Sequence, residues 1–319
     1  MSSFPDFEMD DRWVLSHRSS KNAVDARAPY AFFVEEERSA SGEIEPVATV
    51  FLTNRECPFR CLMCDLWKNT TDEKTPPGAI PHQIAHALSQ LPPARHIKLY
   101  NSGNFFDTKA IPPKDYEKIA RLLDPFGTVI VECHPKLVNE RCLHFRDMLR
   151  GKLEIAIGLE TAHPEVLQKL NKRMSLGEFR QCVQFLTING ISSRAFTLLR
   201  PPFLTEEEGV FWSKRTLGFA FDAGVGCCVV IPTRAGNGAM DWLQSQGFFA
   251  PPSLASLEEV MAYGLRLGAG RVFADLWDLE IFSACPHCFS ERKQRLEVMN
   301  LHQEVPPEIT CKCSLEKNY

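Results

Sequence analysis

The sequence predicts an α/β protein organised around one mostly parallel sheet that stays open. From residue 47 to residue 231, short apolar segments alternate with segments of helical spacing. That alternation implies right-handed βαβ units and a parallel sheet. Six strands qualify in this stretch, too few for a closed eight-stranded barrel. The pattern fits an open, partial barrel or a doubly wound sheet. In either case functional residues belong at the carboxyl ends of the strands.

In chain order, residues 1–28 are polar and unpatterned and read as a wrapping arm or a partly ordered tail. Residues 31–34 and 46–53 read as two strands joined by a turn at Ser39-Ala40-Ser41-Gly42, a hairpin at the edge of the sheet. Helical spacing then falls at 82–90, 115–123, 139–149, 164–170, 177–188, 205–223 and 257–267. Strands fall at 96–100, 128–131, 153–159, 193–199 and 226–231. Glu206, Glu207 and Glu208 sit where a helix dipole favours acids. Composition shifts after about residue 280. The expected domains are an N-terminal extension (1–45), a catalytic domain (46–280) and a cysteine-rich C-terminal extension (281–319).

With 44% hydrophobic residues the 319-residue chain has material for a sizeable core. A net charge of -4 argues against a surface that grips nucleic acid everywhere, though not against a local patch. No apolar run approaches the length of a membrane span. The N-terminus carries no secretory h-region, so a cytoplasmic, reducing setting is expected. Twelve cysteines in such a setting point to metal or redox chemistry. Cys133, Cys142, Cys182, Cys227 and Cys228 read instead as small buried hydrophobes.

Cys57, Cys61 and Cys64 directly follow the strand that ends at Thr53. Three thiolates leave one iron of a four-iron cluster without a protein ligand, and an open coordination position lets a metal site bind a cofactor. The competing reading is zinc, for which a three-cysteine run is unusual. After the next strand comes Asn101-Ser102-Gly103, then Glu132-Cys133-His134-Pro135 and Ile157-Gly158-Leu159-Glu160, each at a strand's carboxyl end.

The CxxxCxxC arrangement after a first strand resembles the radical S-adenosylmethionine (SAM) superfamily, with Met63 where an aromatic is commonest. The Asn-Ser-Gly, Glu-x-x-Pro and Ile-Gly-Leu-Glu segments look like the radical SAM domain of the Elongator catalytic subunit. They look still more like the radical SAM subunit of archaeosine synthase. The resemblance spans residues 47–232. It implies a partial (β/α)6 barrel with a small C-terminal metal-binding extension. Cys57, Cys61 and Cys64 would hold a [4Fe-4S] cluster. The Ser102-Gly103 turn, Glu132, Glu160 and Arg200 would bind SAM. A reductant such as flavodoxin or ferredoxin would supply one electron, giving a 5′-deoxyadenosyl radical. Because those relatives modify tRNA bases, the resemblance implies a tRNA or nucleoside substrate. The alternatives are a radical SAM enzyme acting on a small biosynthetic intermediate and a non-catalytic, zinc-stabilised nucleic-acid-binding protein.

Cys285 and Cys288 precede Cys311 and Cys313 in the spacing of a metal site, either zinc or a second iron–sulfur cluster. The intervening Glu291-Arg292-Lys293-Gln294-Arg295 run is expected to be a solvated helix face, with phosphate contact as the other reading. Asp275, Trp277 and Asp278 are candidates for the barrel mouth, with lower-edge packing as the other reading for Trp277, and Arg200 and Arg234, each after a strand, are candidates for an anionic group on SAM or substrate.

Overall fold

A computed structural model describes residues 7–311. Eight strands form one sheet in sequential order: β1 (Ala31–Arg38), β2 (Ile44–Phe51), β3 (His96–Tyr100), β4 (Thr128–Glu132), β5 (Lys152–Glu160), β6 (Ser192–Leu199), β7 (Cys227–Pro232) and β8 (Arg271–Ala274). Strands β1 and β2 are the expected edge hairpin, and every later pairing is parallel. The sheet curls into a partial barrel whose parallel core, β2–β7, contains the six expected strands. β8 is an additional strand. Four residues starting with Arg271 are too short for a periodic signal.

The helices are α1 (Asp11–Ser16), α2 (Ala79–Leu88), α3 (Tyr116–Leu122), α4 (Glu140–Met148), α5 (Pro164–Lys169), α6 (Leu176–Ile188), α7 (Glu206–Ala223), α8 (Ala239–Ser245), α9 (Leu254–Leu267) and α10 (Pro286–His302). Helices α6 and α7 begin with reciprocal capping boxes, Ser175 with Glu178 and Thr205 with Glu208. Ile97, Leu99, Val129, Val131, Ile155 and Ile157 join the core that packs the helices onto the sheet. Alternation along the strands turns Lys98, Glu154 and Arg194 to the concave face. There Arg194 donates to Glu154 (2.7 Å) and Glu37 (2.6 Å), and Lys98 pairs with Glu37 (2.5 Å).

A second apolar cluster covers the rim. It joins Met9 and Val14 of the N-terminal arm, Leu62 from the middle of the cysteine run, Leu170 after α5, and Met240 and Leu243 of α8. The arm therefore contains a short helix, α1, absent from the polar reading of residues 1–28. Burying Leu62 completely stabilises the loop by roughly 2 kcal/mol. The five scattered cysteines are all buried, as expected.

The solvated-face reading of residues 291–295 fails in part. Arg295 is buried and pairs with Glu258 (3.1 Å), and Arg292 pairs with the same carboxylate. Helix α10 packs on α9 as well as the sheet, so its basic side chains meet an acid there instead of water.

Candidate functional site at the carboxyl rim of the barrel

The cysteine loop leaves the carboxyl end of β2 and is held from four directions. Asn104 donates its side-chain N–H to Cys57 Sγ (3.0 Å) and accepts the His134 backbone N–H (2.5 Å). Asn171 donates to the Arg60 carbonyl (2.8 Å), and the Leu62 N–H reaches the Leu170 carbonyl (2.9 Å). Asn237 donates to the carbonyls of Leu62 (2.8 Å) and Cys64 (3.1 Å). Trp67 Nε1 also donates to the Cys64 carbonyl (3.0 Å). The arm adds Arg18, 2.7 Å from Glu56. Loop carbonyls that would otherwise need water are thus satisfied by side chains from the α5 and β7 connections and by Trp67.

The three thiols sit in this frame. Burial pushes Cys57 and Cys61 up to about 11 and Cys64 up to about 12. Backbone N–H groups oppose that shift, from Phe59 at Cys57 and from Leu66 at Cys64. Such thiols become thiolates only with a cation to ligate. Phe59 stacks on His134, centroids 3.8 Å apart and planes 15° apart. His134 Nδ1 accepts the Lys136 N–H (3.1 Å), so Nε2 carries the proton that goes to the Lys172 carbonyl (2.9 Å). Burial first, then the Lys172 charge, lowers His134 to about 3, which keeps it neutral.

The candidate cofactor residues surround the loop. Glu132 accepts the N–H groups of Asn101 (2.6 Å) and Gly103 (3.2 Å), fixing the 101–103 turn. Its burial raises it to about 7 despite those bonds. Ser102 has φ 51° and its Oγ lies 3.0 Å from the Tyr30 hydroxyl. Gly103 runs so close to the cysteine loop that a Cβ would stand 3.3 Å from Cys57 Cβ. Glu160, with φ 66°, pairs with buried Lys172 at 2.6 Å. A Cβ on Gly158 would overlap that pair, 2.2 Å from Glu160 Oε1. Arg200, with φ 52°, is 2.6 Å from Glu206 and donates to the Pro251 carbonyl (2.8 Å). Ser102, Glu160 and Arg200 all end strands in the left-handed region, backbone strain that clusters at ligand-binding rims.

Arg234 pairs with Asp275 (2.8 Å) and donates to the Trp277 carbonyl (2.6 Å). Trp277 is 55% exposed and packs against Phe33 and Phe51. Two buried polar atoms beside the cysteine loop, Asn101 Oδ1 and Thr53 Oγ1, lack hydrogen-bond partners.

The sequence reading missed Asn104, Asn171, Asn237 and Lys172. Each lies in a connection after a strand or helix, and a polar side chain at such a place carries little signal alone. At the other end of the chain, Cys285, Cys288 and Cys311 bring their sulfurs within 4.8 Å of one another. Cys313 lies outside the described residues.

This architecture is the fold of the radical SAM enzymes. An archaeal Elp3 from Methanocaldococcus infernus, with residues 1–46 deleted, superposes at a TM-score of 0.52 and 16% identity, covering 69% of this chain and 59% of that one. SuiB of Streptococcus suis, bound to its precursor peptide SuiA, gives 0.52 at 12% identity, over 76% and 49%. In sequence the chain is similar to archaeosine synthase subunit beta. The Thermococcus kodakarensis protein is 26% identical over 49% of this chain and 51% of its own length. The Methanosarcina acetivorans protein is 27% identical over 52% and 49%. The chain thus spans about half the length of these two subunits. An uncharacterised Methanocaldococcus jannaschii protein is 23% identical over 93% of this chain and 88% of its own. No family model matches the chain.

Proposed function

We propose that this chain is a radical SAM enzyme in which Cys57, Cys61 and Cys64 ligate a [4Fe-4S] cluster and the opposite rim binds SAM. One observation carries the reading: three thiols on a clamped loop, Cys61 buried and Cys57 and Cys64 half-buried, lie with the Glu132 turn and the Glu160–Lys172 pair at the mouth of a partial barrel. The donor set fits the group. Three soft thiolates suit iron, amide donors aim at the sulfurs, and three ligands leave a fourth iron open.

When bound, cluster and SAM supply one-electron cleavage of SAM to methionine and a 5′-deoxyadenosyl radical, with the electron drawn from a flavodoxin- or ferredoxin-type donor. The chain's own residues orient and exclude. Glu132 holds the Ser102–Gly103 turn so that its carbonyls serve the SAM amino group. Glu160 and Lys172 offer one acceptor and one cation to the zwitterionic methionine end. Arg200, braced by Glu206, faces an anionic group of SAM or substrate. Similarity to two archaeosine synthase β subunits favours a tRNA nucleoside as substrate and a companion subunit at work. On the same reading, residues 46–280 form the catalytic domain, flanked by extensions at 1–45 and 281–319.

The test is anaerobic reconstitution followed by dithionite and SAM. The expected result is about four irons at the rim site and 5′-deoxyadenosine, with neither in Cys61→Ala. Zinc alone with no cleavage sinks the enzyme reading and favours a nucleic-acid-binding protein. tRNA affinity that falls steeply with salt favours tRNA over a small molecule.

A further inference from the structure

We propose that Cys285, Cys288 and Cys311 share a single tetrahedral Zn2+ ion, not a second iron–sulfur cluster, and that this ion locks the segment after α10 onto the helix that caps the sheet's free edge.

The spacing of the sulfurs decides between the two metals. Cys285 Sγ and Cys311 Sγ are 3.8 Å apart. Zinc–sulfur bonds of about 2.3 Å at tetrahedral angles place two sulfurs roughly 3.8 Å apart. Cys288 Sγ lies within 4.8 Å of both. A four-iron cluster assigns each thiolate to a different iron, and a two-iron cluster divides its four ligands between two metals. Either arrangement spreads three thiolates wider than one ion does. A disulfide between Cys285 and Cys311 would need about 2.05 Å.

The local fold favours a metal here. Cys285 is the N-cap of α10, Pro286 opens the helix, and Cys288 sits in its first turn. The positive end of the helix dipole thus lies at Cys285 and Cys288. Arg292, one turn further, donates Nε to Cys288 Sγ (3.3 Å) and pairs with buried Glu258, a charged outer partner of the kind that orients metal ligands. Binding moves no electrons. Each thiol that becomes a ligand gives up its proton to solvent, and Zn2+ takes its place.

The ion matters through α10. Along the outer edge of β8, Asn300 and Gln303 replace a missing strand. Asn300 accepts the Ala274 N–H (2.8 Å) and donates to the Ala274 carbonyl (2.9 Å). Gln303 does the same for Val272, at 2.7 and 2.9 Å. The helix also packs against β1 at the other edge. Between Gln303 and Cys311 the chain is held to α10 by Arg295, which donates to the Pro306 and Pro307 carbonyls (3.1 and 2.9 Å). Zinc at Cys311 supplies a second tie.

The experiment uses the full-length chain with Cys57, Cys61 and Cys64 all replaced by alanine, so its outcome does not depend on the radical SAM reading. Metal analysis is expected to find about one zinc per chain and no iron. Co2+ loading is expected to give the intense sulfur-to-metal band of a tetrahedral thiolate site. In the same background Cys288→Ser and, separately, Cys311→Ser lose the zinc. Cys311→Ser, on an extended segment, remains informative if the helix variant does not fold. Removing zinc with a chelator is expected to speed proteolysis within residues 303–311. Iron in the triple variant, a Cys285–Cys311 disulfide, or zinc retained in Cys311→Ser would each overturn the proposal.

Discussion

The Lys172 ammonium lies 2.6 Å from the Glu160 carboxylate, both groups buried beneath the rim of the barrel, and Lys172 is also the cation whose field reaches Cys57 and Cys61. Burial alone would lower its pKa. The Glu160 charge and the neighbouring sulfurs outweigh burial and raise Lys172 above the ordinary lysine range. One cation thus serves a carboxylate from β5 and the loop from β2.

Lys172→Met is expected to cost about 3–5 kcal/mol of stability, because Glu160 is left as an unpaired buried charge. Urea unfolding measures that loss. In reconstituted protein the same change is expected to make the rim cluster harder to reduce, since a nearby positive charge is gone. Redox-poised EPR reads the midpoint. An unchanged midpoint would mean that the ammonium does not face the thiolates.

Asn237→Ala removes the donor shared by the Leu62 and Cys64 carbonyls. The expected cost is about 1–3 kcal/mol, with slower iron uptake during reconstitution. Asn237→Asp is expected to be worse, because an acceptor then faces two carbonyl oxygens. Equal behaviour of the two variants would argue that the clamp is unimportant.

His134 sets an acid limit. Its folded value of about 3 lies below the unfolded value near 6.5, so between those limits the unfolded chain binds more protons. Stability contributed by neutral His134 is therefore present above pH 6.5 and lost as pH falls toward 3. The loss is on the order of a few kcal/mol. His134→Gln is expected to flatten the slope of melting temperature against pH in that window. Glu132 has the opposite sign. Raised to about 7, it favours folding most below its unfolded value and loses that contribution as pH rises through 7. Glu132→Gln should flatten the neutral side of the profile instead.

Arg194→Met is expected to destabilise by about 3–5 kcal/mol, since Glu154 and Glu37 lose a shared partner inside the barrel. Adding Glu154→Leu is expected to recover part of that loss, because a buried carboxylate then held by Arg271 alone (3.1 Å) is removed as well. Thermal melts of the single and double variants check this. No recovery would show that the network acts through shape alone.

The parallel core, the edge hairpin and the cysteine run were legible from the sequence because each rests on local pattern. Strand and helix periodicities are properties of neighbouring residues. The cysteine spacing lies within eight positions. Rim residues were legible too, since the end of a strand is visible wherever the strand is.

Tertiary structure decided what those residues touch. The clamp on the cysteine loop draws Asn104, Asn171 and Asn237 from connections more than 30 residues away in sequence, and a lone asparagine in a loop has no periodic signature. Strand β8 owes its place to pairing with β7 and to amide side chains from α10. Arg292 and Arg295 read as solvent-facing until α9 brings Glu258 against them. The sequence by itself determined the class of fold and the donor chemistry, because apolar period and thiol spacing are short-range. The pairing of buried charges and the sulfur geometry at α10 were set by packing, because both depend on distances between segments far apart in the chain.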